Sequence, residues 1–127
     1  MNKYRDKSDF EINCQVLATF EPDIEHMCLS NDKKSFYHCG FDGNGFYETT
    51  IPDYCNNPAD AMPIIIENKI TVAYDKLYET WCAHVGSVMG DGDWDYSIEP
   101  VINYCDDNYY RAAMICFLMM KDAENEK

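Results

Sequence analysis

Apolar residues recur at helical spacing at both ends of the chain and at its centre, and alternate with polar residues in between. Near the start, Phe10, Cys14 and Leu17 share one helical face, widened by Ile12 and Val16. Ser8-Asp9-Phe10-Glu11 precedes them in the pattern of a capping box, in which the serine and the glutamate satisfy each other's backbone N–H groups. A helix is predicted from Asp9 to about Thr19, stopped by Glu21-Pro22-Asp23.

The central stretch runs from Asp53 to Asn68. Asn57 can accept the N–H groups that a first helical turn leaves open, and Pro58 suits the first helical position because its missing N–H has no partner there. Asp60 meets the positive end of the helix dipole. Asn68 suits a left-handed residue at the helix end. A helix over 58–68 is predicted, kinked or restarted at Pro63, whose ring crowds the carbonyl of Ala59. Ile64, Ile65 and Ile66 leave a loop followed by a strand open as the alternative.

Period-two alternation marks the strands. Ile70, Val72 and Tyr74 share a face in 69–74, and Trp81, Ala83 and Val85 share one in 79–85. With a turn at 75–78, these form an antiparallel hairpin. A second hairpin joins 35–39 to 46–51 around Asp42-Gly43-Asn44-Gly45, where both glycines accept positive φ. Residues 21–34 and the acidic segment 86–107 show no sustained period and are expected as loops. Asn108 is placed to cap a last helix from Tyr109 to about Asp122, with a fraying tail. Its nine residues from Ala112 to Met120 are apolar on every side. Such a helix is normally buried. Either a second copy of the chain covers it in a homodimer, with Met114, Met119 and Met120 at the contact, or Phe10 and Leu17 pack against Phe117 or Met120.

Charge changes the functional picture. Residues 40–110 carry thirteen acids against two bases, most of the net −13 of the 127-residue chain. Phosphate contacts need clustered Lys and Arg, so direct nucleic-acid binding is disfavoured. The nine-residue apolar run falls well short of the ~20 residues that cross a bilayer, and no basic start precedes an apolar run. A soluble, cytoplasmic protein is expected. The seven cysteines are scattered and odd in number, which predicts seven free thiols in that compartment.

Candidate chemistry is thin. His26/Cys28, His38/Cys39 and Cys82/His84 pair soft ligands, so Cys82, His84, His38 and Cys39 are the metal candidates. No Cys-x-x-Cys occurs, and structural zinc sites favour two to four intervening residues. Buried cysteines and surface histidines explain these pairs more simply. Asp91-Gly92-Asp93-Trp94-Asp95 opens like a calcium loop, yet Tyr96 and Ile102 stand where that loop needs Gly and Glu. No nucleophile motif or phosphate loop is present. No catalytic residue and no cofactor is assigned.

One resemblance is specific. Ser8-Asp9-Phe10-Glu11-Ile12-Asn13, Asp53-Tyr54-Cys55-Asn56-Asn57-Pro58-Ala59-Asp60-Ala61, Pro63-Ile64-Ile65, Arg111-Ala112-Ala113-Met114-Ile115 and Phe117-Leu118-Met119-Met120 resemble the NinX family of small lambdoid phage and prophage proteins. Tyr109 stands where that family often has proline. The resemblance implies no activity and carries over no catalytic residue. Helix, hairpin and helix together resemble the phage domains described as helix–sheet–helix sandwiches. The expected class is α+β: one domain, with a small antiparallel sheet of at least one hairpin packed by two or three helices. The expected function is a non-enzymatic accessory protein that binds a host or phage protein. The alternatives are an acidic DNA mimic that occupies a host enzyme's DNA site, and a small Cys/His metal protein.

Overall fold

A computed structural model describes residues 3–37, 48–85 and 102–125 of the chain. In chain order these form α1 (Asp9–Phe20), a 3-10 helix (Pro22–His26), β1 (Cys28–Leu29), β2 (Ser35–Tyr37), β3 (Glu48–Thr50), α2 (Pro58–Glu67), β4 (Thr71–Asp75), β5 (Thr80–Val85), β6 (Ile102–Asp106) and α3 (Tyr109–Asn125). The class is α+β. The strands make two antiparallel three-stranded sheets, ordered β1-β2-β3 and β4-β5-β6. Internal contacts gather the chain into two compact units, Met1–Asp53 and Tyr54–Lys127.

In the first unit, α1 starts as its sequence dictates. Ser8 Oγ accepts the N–H of Glu11, and a Glu11 carboxylate oxygen accepts the N–H of Ser8. The Ser8 backbone bond holds the Glu11 carboxyl below its ordinary range. The inner face of α1 buries Ile12, Val16 and Leu17, and its buried Asn13 donates to Asp53 Oδ1 at 3.1 Å. Segment 21–34, expected as a loop, contains the 3-10 helix and β1. Ile24 is the apolar residue that this short helix buries. β2 pairs with β1 through Leu29↔Phe36 and with β3 through Phe36↔Thr49, so the predicted pairing of 35–39 with 46–51 is observed where the strands are described. The predicted turn 42–45 lies outside the described residues.

In the second unit, α2 is one uninterrupted helix through Pro63, with Asn57 as N-cap accepting the Ala59 N–H at 3.0 Å. Pro63 is exposed, and so is Ala59, whose carbonyl the missing N–H of Pro63 leaves without its helical partner. The three isoleucines divide as a helix requires: Ile64 and Ile65 are buried with Ala61, and Ile66 is exposed. The left-handed residue at the end is Lys69 (φ 56°), one later than expected. Ile70 N–H bonds to Ile65 O and Lys69 N–H to Ile66 O, the paired bonds of a Schellman ending. Asn68 serves instead through its side chain, donating to Ile64 O at 2.8 Å.

The expected loop 86–107 is corrected at its end. Residues 102–106 form β6, paired with β5 from Trp81↔Asp106 to Val85↔Ile102. Ile102 and Tyr104 alternate with Asn103 and Cys105, a period that the surrounding acids obscure. α3 packs on this sheet and on α2. Every residue from Arg111 to Leu118 is buried, with Phe117, Met114, Ile115 and Cys116 almost fully enclosed. Seven free thiols are also corrected. Cys82 and Cys105 are bonded across β5 and β6, and Cys28 is disulfide-bonded as well. Scattered positions in the sequence become opposite partners once the strands pair. Cys14, Cys55 and Cys116 remain thiols.

Candidate functional site

The second unit assembles its aromatic residues at one end of the β4–β5 hairpin. Tyr74 and Trp81 are direct cross-strand partners, with ring centroids 5.0 Å apart and edges on faces. Trp81 meets Tyr109 of α3 at 5.2 Å, and Tyr109 meets Tyr110 at 4.9 Å. Four rings from two strands and a helix thus form a continuous edge-to-face ladder, an arrangement favoured by the ring quadrupoles. Tyr74 is 49% exposed at its outer end.

The hairpin tip continues this surface. Asp75 Oδ1 accepts the N–H groups of Leu77 and Tyr78, at 2.9 and 3.2 Å, and Glu79 closes the turn at φ 53°. A non-glycine residue in that region is held there by its surroundings. The turn carries Leu77 and Tyr78 outward, 79% and 74% exposed.

The inner end is fixed by charge and hydrogen bonds. Asn108 caps α3, its Oδ1 accepting the N–H groups of Tyr110 and Arg111 at 2.8 and 3.1 Å. Asn108 Nδ2 donates to Asn56 Oδ1 at 2.9 Å, which ties the start of α3 to the residue beside the α2 cap. Asp106 accepts Asn108 N–H with one carboxylate oxygen and Arg111 Nε–H with the other, at 2.9 and 3.1 Å. The buried guanidinium is therefore paired, as a buried charge must be. These bonds orient the turn that presents Tyr109 and Tyr110.

The residues singled out from sequence fall elsewhere. Cys82 is bonded to Cys105, and His84 lies two positions along the same strand face. His38 and Cys39 lie outside the described residues. Among the described residues, no group of three His, Cys, Asp or Glu side chains is placed to hold a metal ion. Met114 is fully buried, while Met119 and Met120 are half-buried. Arg111 to Leu118 of α3 are buried within the chain. Among the described residues, no helix is long and apolar enough to cross a membrane. Sequence reasoning missed Tyr74, Leu77, Tyr78, Trp81, Tyr109 and Tyr110 as a group. The available signal was four tyrosines and a tryptophan near a predicted hairpin and a predicted helix start.

The family model for NinX of bacteriophage P22 matches residues 3–121, nearly the whole chain and both units. The chain belongs to the NinX family. The match spans the segments that build the ladder and its support, including Asn56, Asp106, Asn108 and Arg111. No curated protein and no solved structure matches the chain.

Proposed function

We propose that this phage-family chain is a non-enzymatic accessory protein that binds another protein through the ladder and hairpin tip of its second unit. The observation that carries the reading is Leu77 and Tyr78, held outward by a hydrogen-bonded turn at the end of a supported row of rings. Interfaces concentrate their energy in tyrosine and tryptophan side chains, and a rigid mount lowers the ordering cost of binding. A four-ring row serves no evident catalytic step, whereas it suits a surface that excludes water around a few anchors.

The test is a photo-crosslinking amino acid at position 79, placed beside the tip and used in phage-infected cells. The chain is expected to capture one defined protein. The double variant Leu77→Asp/Tyr78→Asp is expected to lose that product by at least about tenfold, the scale set by hot-spot residues. Both side chains are exposed, so the thermal melt of the variant should overlay the parent. Equal capture by parent and variant would remove the tip from the binding surface.

A further inference from the structure

The second sheet has a chemical feature that the binding surface does not use. Ala83 is fully buried and Trp81 touches Tyr109 of α3, so the Trp81–Ala83–Val85 side of β5 faces the helix. Side chains alternate along a strand, which turns Cys82 and His84 to the opposite side. There Cys82 is half-buried and Cys105 is exposed. The two residues are direct cross-strand partners, with Cα atoms 4.1 Å apart. The remaining thiols contrast with this pair. Cys55 and Cys116 are buried, and burial pushes the Cys116 thiol up to about 12. Cys14 is half-buried, and desolvation raises its thiol too.

We propose that Cys82 and Cys105 form a reversible thiol–disulfide exchange site whose co-reactant is a low-molecular-weight thiol and its disulfide. Exposure directs the incoming thiolate to Cys105 Sγ. A new sulfur–sulfur bond forms there, the Cys82–Cys105 bond breaks, and its electron pair leaves on Cys82 as a thiolate that takes a proton from water. A second small thiolate attacks the small-molecule sulfur of the mixed disulfide. It releases Cys105 as a thiolate and the small-molecule disulfide as the oxidised product. Two small thiols are oxidised and one protein disulfide is reduced, and the reverse sequence closes the pair.

The sheet explains why closure stays available. Backbone pairing continues on both sides of the cysteines, through Trp81↔Asp106 and through Ala83↔Tyr104 to Val85↔Ile102. Opening the sulfur bond leaves these pairs in place, so the two thiols remain opposite each other and reclosure is intramolecular. The pair therefore gives this sheet two covalent states over one backbone register. Scattered cysteines in a reducing cytoplasm and a bonded pair in the fold are then compatible, because the surrounding thiol pool sets which state is occupied.

The test uses the full chain, folded, equilibrated in glutathione buffers stepped from fully reduced to fully oxidised. Each sample is quenched with an alkylating reagent, and Cys82 and Cys105 are scored by peptide mass mapping. The two residues are expected to lose and regain alkylation together across the series, while Cys55 and Cys116 stay unlabelled throughout. The Cys82→Ser variant, checked for folding by circular dichroism, is expected to accumulate one glutathione on Cys105. Three results overturn the proposal: a pair still alkylated in the most oxidising buffer, a pair that opens only on unfolding, or a folded Cys82→Ser chain that takes up no glutathione. If the variant fails to fold, the parent titration decides by itself.

Discussion

The two three-stranded sheets share a strand order and differ in what holds them. In the first, the described parts of the strands span two to three residues. Its β1–β2 turn is a polar network. Ser30 Oγ donates to Asp32 Oδ1 at 2.6 Å and accepts the N–H groups of Lys34 and Ser35, while Lys33 takes a left-handed backbone. Ser35 Oγ then donates to Glu48 across the sheet. In the second, the strands are five to six residues long and carry α3. That sheet is held by apolar burial, ring contacts and the Cys82–Cys105 bond, while β1 of the first also carries a disulfide-bonded cysteine, Cys28. In the described part of the first sheet, side-chain bonds at the β1–β2 turn and from Ser35 to Glu48 hold the register. The second sheet, covered by α3, sets its register by packing.

The largest test of this contrast is Phe117→Ala. Phe117 is enclosed at 1% exposure, so the cavity should cost about 3–5 kcal/mol in denaturant unfolding. A loss below about 1 kcal/mol would mean that α3 does not carry the second unit. Reducing the Cys82–Cys105 bond comes next. It closes a separation of 23 residues, so the reduced chain should be less stable by about 2–4 kcal/mol on the loop-closure model. Asn108→Ala should cost about 0.5–2 kcal/mol, the usual loss for an N-cap, and should also shift the near-ultraviolet signal of the ladder. An unchanged aromatic signal would separate the cap from the rings.

The smallest effect is Ser30→Ala in the first sheet, and it carries a pH signature. The Ser30 side-chain bond, with that from the Lys34 N–H, holds the Asp32 carboxyl below its ordinary range. A carboxyl depressed by folding contributes stability that is present above its unfolded pKa. That contribution is lost as pH falls through the folded value. The difference between Ser30→Ala and the parent should therefore be visible at neutral pH and fade in acid. A difference that is flat with pH would assign the effect to the Lys34 and Ser35 bonds alone.

The sequence by itself determined the local events. The capping box at Ser8 and Glu11, the Asn57-Pro58 start, the Asn108 cap and the β4–β5 hairpin each depend on residues a few positions apart. Their physics is complete within one turn or one strand. The amphipathic division of Ala61, Ile64 and Ile65 against Ile66 likewise follows from helical spacing once the helix is chosen. The NinX resemblance was legible for the same reason, since it rests on contiguous runs.

Only the tertiary structure decided the rest. β6 was hidden because a strand among acids shows its period only when a neighbour accepts its N–H groups. The Cys82–Cys105 bond joins residues that no spacing rule connects, because the register of β5 on β6 makes them partners. The ladder draws on Tyr74, Trp81, Tyr109 and Tyr110 from three elements, and Asn56 reaches Asn108 only after α2 and α3 are in place. These features depend on which elements meet, and that is set by burying α3, a long-range outcome that neither local propensity nor charge encodes at any one position.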